Sequence, residues 1–183
     1  MNKIKIILVL LALGIMSGAS AQDFSADSST FKPKGPITIY INNPLGFSSE
    51  IRGKVEYRFS QKEAILGSFS KFHGMVPGFQ TYLEYRKYFK NGDRTEWLYY
   101  GKAGVGKSFP NNGKFDLFGA GIGQNITFGD AKNFSIQFSE GLKYTYVVSG
   151  DVEAVNSSGF RGLFYVTGPG AILDLNINLG WRF

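Results

Sequence analysis

The last eleven residues of the chain, LDLNINLGWRF at positions 173–183, alternate strictly between apolar and other side chains. The apolar set is Leu173, Leu175, Ile177, Leu179, Trp181 and Phe183. Between them lie Asp174, Asn176, Asn178, Gly180 and Arg182. Successive side chains of a strand point to opposite faces, so a period of two predicts a β-strand with one apolar and one polar face. A sheet built from such strands needs an apolar environment on one side only.

The first 21 residues predict export from the cytoplasm. Lys3 and Lys5 precede an apolar stretch that ends at Met16, and Ala-Ser-Ala at 19–21 has the form of a signal-peptidase site. The apolar stretch is shorter than the roughly 20 residues that a membrane-spanning helix needs. We therefore interpret residues 1–21 as a signal peptide.

The rest of the chain is expected to form a single domain. Residues 22–35 are polar and Ser-rich and predict a flexible periplasmic leader, which leaves 36–183 for the domain. Without the signal peptide the chain has 18 basic and 14 acidic residues, and the sequence contains no Cys, so no disulfide framework is available. An aromatic content of 16% together with 24 Gly residues favours strands over helices.

Apolar segments and turn residues predict eight strands. They lie near 36–43, 50–60, 63–73, 78–89, 95–107, 114–128, 133–148 and 171–183. The connections alternate between short polar turns, such as KNGDR at 90–94, and longer segments, of which 149–170 is the longest. In membrane barrels the short turns are periplasmic and the long loops extracellular, so both termini are expected in the periplasm.

Alternation recurs in most of these segments. The second strand places Ile51, Val55, Tyr57 and Phe59 on one face and four charged residues on the other. The seventh has a long apolar face that Glu140 interrupts, and the pattern gives no reason for this carboxylate.

A soluble barrel buries its apolar face inside, whereas a membrane barrel turns it outward to lipid. Aromatic residues favour the membrane arrangement, because those on the apolar face gather at one end of the strands, as in an interfacial girdle. They are Phe59, Phe89, Trp97, Phe128, Phe134, Trp181 and Phe183. The predicted fold is all-β, an eight-stranded antiparallel up-and-down transmembrane β-barrel.

A barrel of eight strands has a lumen that side chains fill, so the charged faces are expected to meet there in a structural network of salt bridges. Its predicted members are Arg52, Lys54, Glu56, Arg58, Glu84, Arg86, Lys102, Lys143 and Asp174. The Gly-rich fifth and sixth strands are expected to make room for the long Arg and Lys chains.

The segments YLEYRKYF at 82–89 and GAGIG at 119–123 resemble strands of short, uncharacterised barrels of the OmpA/OmpX type. The resemblance implies an outer-membrane location and a terminal strand whose Leu179, Trp181 and Phe183 are read as an insertion signal. It also implies the insertion machinery and periplasmic chaperones as partners during biogenesis, and a monomer as the final state. A peptidoglycan-binding domain is not expected, because the chain ends with the eighth strand.

Two motifs suggest chemistry that their context does not support. GKAGVGKS at 101–108 fits the phosphate-binding P-loop, but a turn with Pro110 follows it instead of the required helix. His73 is the one His, and it lacks the His-x-Ser pattern of barrels that deacylate lipid A. We expect no enzyme activity, cofactor, metal, nucleotide or nucleic acid, with a lipid-modifying enzyme kept as a minor alternative.

The remaining hypothesis is a structural or surface-interaction role for the extracellular loops, above all 149–170. Outer-membrane lipids and lipopolysaccharide are the expected partners, since Lys and Arg suit phosphate oxygens. The candidate contacts near the outer rim are Lys71, Lys107, Lys114 and Arg161. A narrow channel or carrier for small hydrophobic molecules is the alternative, although the predicted lumen charges disfavour it.

Overall fold

The computed structural model describes residues 35–42, 50–73, 77–109, 112–129, 132–150 and 170–183, apart from the side chains of Lys90 and Asn91. The predicted signal peptide, almost all of the predicted leader and most of the 149–170 connection, with Arg161, lie outside this part. The described strands are β1 (Ile37–Asn42), β2 (Glu50–Arg58), β3 (Glu63–Phe72), β4 (Gly78–Asn91), β5 (Thr95–Ser108), β6 (Lys114–Phe128), β7 (Phe134–Ser149) and β8 (Asn176–Arg182).

The strands form a closed antiparallel barrel in which each pairs with its neighbours in sequence and β8 pairs with β1. This confirms the predicted fold. The last strand differs from its predicted start at residue 171, because regular strand begins at Asn176. The register nevertheless continues upstream, through an isolated bridge between Leu173 and Leu142 and a backbone hydrogen bond from Asp174 N to Gly141 O of 3.0 Å.

The two ends of the barrel differ in their connections. The lower end, where β1 begins and β8 finishes, carries the short turns at 59–62, 92–94 and 129–133. The upper end carries the connections at 43–49, 73–77, 109–113 and 150–175. Within the described ranges, no helix is long and apolar enough to cross a membrane.

The sheet is apolar on its outer face and polar within. On β2, Ile51 is 66% and Val55 52% exposed, whereas Arg52, Lys54 and Glu56 are buried in the lumen. The same alternation runs around the barrel, with Ile39, Ile65, Leu83 and Leu175 among the exposed apolar side chains. A continuous apolar outer surface of this kind is stable in lipid and not in water.

An aromatic belt surrounds the lower end on the outer face. The Phe89 and Tyr99 rings stack with centroids 4.3 Å apart. Phe134 lies between Phe128 and Trp181, with centroid separations of 6.1 and 6.4 Å. Such contacts fix the rings where a membrane barrel meets the interface, and the belt thus marks the lower boundary of the apolar band.

The lumen also holds apolar clusters that the alternation did not reveal. One cluster consists of Tyr40, Leu66, Tyr82, Phe115 and Leu117, and the other of Ala64, Tyr88, Leu98 and Tyr100. The interior is therefore a mixed core and not a purely ionic one.

The glycines of β5 and β6 were expected to make room for long cations, but several of them, like Gly141 of β7, lie against an aromatic side chain instead. A Cβ at Gly121 or Gly141 would lie 2.5 or 2.4 Å from the Tyr100 hydroxyl oxygen. Among the glycines of β6, Gly119 is the one that lies beside a Lys side chain, with Lys102 Cε 3.0 Å from the added carbon. Because a tyrosine ring is wide and rigid, it depends more than a flexible lysine does on the space that a glycine leaves.

Candidate functional site in the lumen and at the upper rim

All nine residues of the predicted charge network point into the lumen and are buried. They separate into a lower and an upper cluster along the barrel axis. Sequence reasoning missed three further members, Glu50, Glu96 and Arg182, although the alternation around Trp97 already places Glu96 on the lumen face.

Glu96 is the centre of the lower cluster and is fully buried. Arg58 donates to its two oxygens over 2.6 and 3.2 Å, and Asn125 donates over 3.0 Å. Arg182 Nη2 lies 3.7 Å from Glu96 Oε2. The Arg58 guanidinium also stacks on the Tyr88 ring, 3.8 Å from its centroid. This bidentate, stacked geometry is the kind that makes a buried ion pair favourable.

Glu56 and Arg86 extend the lower cluster across the barrel. Arg86 Nη1 lies 2.6 Å from Glu56 Oε2, and its Nε lies 2.6 Å from Glu84 Oε1. The Tyr88 hydroxyl donates to Glu56 over 2.9 Å, and Arg86 donates to Gln137 over 3.1 Å. Three arginines, Arg58, Arg86 and Arg182, therefore balance three carboxylates, Glu56, Glu84 and Glu96.

The upper cluster is organised around Asp174. Lys102 forms an ion pair with this carboxylate, and the Tyr100 hydroxyl donates to it over 2.8 Å. Asn176 donates to the other carboxylate oxygen over 3.2 Å and accepts a hydrogen bond of 2.6 Å from Arg52. Asp174 lies just before β8, where the sheet is irregular, so its side chain is fixed mainly by these partners.

Arg52 and Lys54 bring more positive charge to the upper cluster. Arg52 pairs with Glu50 at 2.5 Å, close to the upper mouth. Lys54 is buried but has no hydrogen bond or ion pair with any residue that the structure describes. With Lys102 and Lys143, four cations therefore face Glu50, Asp174 and also Glu84, which lies opposite Lys102 but is already held by Arg86. Among the described residues the lumen has an excess of two positive charges, and Lys54, which has no such pairing, lies in its upper half.

Three of the four candidate lipid-contact residues lie in one row on the outer face at the upper end. Lys71 is opposite Phe79, Phe79 is opposite Lys107, and Lys107 is opposite Lys114. Side chains at directly opposite positions are about 5 Å apart at Cβ, so Lys107 and Lys114 repel each other. Asp116, diagonal to Lys107, supplies one negative charge nearby. The row remains positively charged.

The residues of the expected insertion signal share the outer face of β8. Trp181 and Phe183 are exposed and Leu179 is half-buried. Leu179 is opposite Ile41 and Ile136, and Trp181 is opposite Ile39 and Phe134. The terminal strand thus closes the barrel against β1 and contributes Trp181 to the aromatic belt.

The two other sequence motifs have ordinary structural positions. The P-loop-like segment 101–108 forms the upper part of β5 and is extended. His73 follows β3 at the upper end and is exposed. No group of three or more His, Asp or Glu side chains in the described part of the chain is placed to hold a metal ion.

The fold is similar to that of a β-barrel domain solved by crystallography. The chain matches the crystal structure of the N-terminal β-barrel domain of Pseudomonas aeruginosa OprF with a TM-score of 0.53. The match covers 80% of this chain and 96% of that one, at 16% sequence identity. The fold is that of a small OmpA-like barrel. No protein-family model matches the sequence, and no curated protein is similar enough to match it.

Proposed function

We propose that this protein is an outer-membrane β-barrel whose lower end faces the periplasm and whose upper end binds anionic groups at the cell surface. Its role is structural and interactive, with no reaction catalysed. The apolar outer face, the aromatic belt and the unequal lengths of the connections support this orientation.

The observation that carries the proposal is the direct opposition of Lys107 and Lys114, with Lys71 in the same row. Like charges in such a position destabilise a sheet unless an anion lies between them. Lipopolysaccharide phosphates lie at this level of the outer leaflet and bear the opposite charge, and Lys is a common phosphate ligand.

The binding of lipid A in detergent tests this proposal. Lys107→Gln combined with Lys114→Gln is expected to weaken the binding of bisphosphorylated lipid A by on the order of tenfold, since two charge-assisted contacts are lost. Dephosphorylated lipid A should bind both proteins equally weakly. Lys87→Gln is the matched control, because Lys87 also points outward but lies at the lower end. Equal affinity of all three proteins would refute a phosphate site at the upper rim.

The extracellular connection is proposed to provide any protein or ligand contact beyond lipid. Deletion of residues 152–166 is expected to leave the barrel folded, as judged by heat-modifiable gel migration, while abolishing a surface phenotype. Loss of the folded form would show that the loop is needed for the barrel itself.

The alternatives have direct tests as well. A channel requires an open lumen, whereas the Arg58, Arg86 and Glu96 side chains fill the lower lumen. A lipid-modifying activity of His73 would change lipid A in cells that produce the protein, and unchanged lipid A would exclude it.

A further inference from the structure

Glu140 places a carboxyl group on the lipid-facing side of β7, near mid-membrane. It lies six residues above Phe134 of the aromatic belt. At about 3.3 Å per residue and a strand tilt of about 40°, this is about 15 Å above the belt, in an apolar band about 25 Å tall. The side chain is exposed on the outer face.

No residue in the described part of the chain pairs with Glu140. It has neither a hydrogen bond nor an ion pair there. Its cross-strand neighbour on β6 is Ile122, and Leu142 follows it on the same face. An isolated polar or charged group in hydrocarbon is costly, so a carboxyl group there needs a hydrogen-bonding partner. Acidic residues inside membranes therefore usually have a partner and a function.

The outer surface beside Glu140 forms a shallow apolar depression. A groove of about 710 Å³ runs along it, lined by Ala120, Ile122, Leu142 and Leu175 among others. Gly101 is opposite Ala120 on the outer face, and because both side chains are small or absent the surface is recessed there. Leu175, 69% exposed, stands next to it as a ridge. A ridge beside a depression is a shape that can fit a second copy of itself.

Membrane geometry limits what can meet Glu140. Two copies inserted in the same orientation are related by rotation about the membrane normal, so each residue stays at its own depth. Apart from tyrosines, the outward polar residues that lie away from the two rims are Thr81, Gln124 and Glu140 in the described strands. Thr81 already donates to the Ser68 carbonyl, and Gln124 lies only four residues above Phe128, about 10 Å over the belt.

We infer that two copies of the chain associate in the membrane through the outer face of β6, β7 and β8, with the two Glu140 carboxyl groups hydrogen-bonded across a two-fold axis. In an isologous contact of this kind each carboxyl O–H donates a hydrogen bond to the carbonyl oxygen of the other and accepts one in return. A rotation that is not two-fold would place Glu140 against apolar surface and leave it unpaired. The inference goes beyond the proposed function and replaces the expectation of a monomer.

Photo-cross-linking in native membranes tests the contact. Replacing Leu142 by benzoylphenylalanine keeps Glu140 in place, and irradiation is expected to give an adduct containing two copies of the chain. Leu83 is the control, because it is as exposed as Leu142, at 66% against 64%, and, like Glu140, lies six residues above an aromatic residue of the belt, Phe89, but on β4. An adduct with the probe at both positions, or at neither, would overturn the inference.

The carboxyl group is tested by two substitutions in the Leu142 probe background. Glu140→Leu removes the hydrogen bonds and suits the lipid, so it should fold normally and reduce the two-chain adduct by on the order of tenfold. Glu140→Gln can still donate and accept, so it should retain most of the adduct. Full cross-linking with Glu140→Leu would refute the role of the carboxyl group. Capture of a different molecule at Leu142 would assign the surface to another partner.

Discussion

The lower and upper halves of the lumen are built from the same residue types but differ in the balance of positive and negative charge. In the lower half, three arginines and three carboxylates neutralise one another around Glu96 and Glu56. In the upper half, four cations share Glu50, Asp174 and the Arg86-bound Glu84, and Lys54 has no hydrogen bond or ion pair with a described residue. The difference indicates that the lower half is a neutral core and that the upper half retains positive charge.

The outer surface continues this contrast. At the upper rim Lys107 and Lys114 oppose each other, whereas at the lower rim Glu63 is opposite Lys87 and also accepts a hydrogen bond of 2.5 Å from Tyr85. In the lumen and at these strand positions of the outer face, charges are paired at the lower end and in excess at the upper end. The upper end is therefore the one suited to anionic partners.

Removal of Glu96 should have the largest effect. Glu96→Ala leaves Arg58 and Arg182 without a buried counter-charge and should lower the free energy of unfolding by about 3–5 kcal/mol. Urea unfolding in lipid vesicles, followed by tryptophan fluorescence, measures this loss. Glu50→Ala is the matched control in the upper half, where the side chain is 16% exposed and water can replace it. Equal losses for the two variants would remove the distinction between the halves.

The second-largest loss of stability is expected from a change at Gly141, which packs against Tyr100 where the two halves of the lumen meet. In Gly141→Ala the new Cβ would lie 2.4 Å from both the Tyr100 hydroxyl and the Ala120 carbonyl oxygen. Tyr100 must then move away from Asp174, and overpacking of this kind costs about 1–3 kcal/mol. The same urea titration applies. Gly53→Ala, whose added carbon has nothing within 4 Å, should have little effect. If Gly141→Ala and Gly53→Ala were equally stable, the position of the Tyr100 ring would not depend on the absence of a side chain at residue 141.

Removal of Lys54 should cost almost nothing. Lys54→Met deletes one of the two excess cations and keeps the length of the side chain, so stability should fall by no more than about 0.5 kcal/mol and can rise. Unfolding midpoints of wild type and variant give the comparison. A loss as large as that of Glu96→Ala would mean that Lys54 has a strong partner and that the upper half is balanced too.

The exposed Asp93–Lys132 pair at the lower turns should have the smallest effect. The hydrogen bond and the charge of Lys132 hold the pKa of Asp93 below its ordinary value. Its contribution is therefore present above the ordinary aspartate pKa of about 3.9 and is lost as the pH falls below it. Melting temperatures of Asp93→Asn and wild type should differ slightly at pH 7 and converge at low pH. A difference that grows on acidification would contradict this sign.

The period-two pattern predicted most of the fold because each strand separates apolar from polar residues. It placed Arg52, Lys54, Glu56 and Arg58 on the lumen face without knowledge of their partners. It could not reveal which charges pair, since the Arg58–Glu96 contact joins β2 to β5 through the lumen and depends on tilt and stagger.

Exceptions to the pattern were harder to interpret. Phe115 and Leu117 are apolar yet inward, because the lumen needs volume that charged chains alone do not supply. Glu140 is polar yet outward, and its neighbours Ile122 and Leu142 became known only from the strand register. The Gly residues of β6 indicated close packing but not that Tyr100 would be the packed group.

The neutral lower cluster is expected to seal the barrel against ions. Single-channel recording of the purified protein in planar lipid bilayers tests it most directly, because Arg58, Arg86 and Glu96 fill the cross-section through which ions would pass. The expected result is a bilayer that contains the folded barrel and shows no conductance steps above the leak. Reproducible ohmic steps of the wild-type protein would contradict the claim and favour the channel alternative.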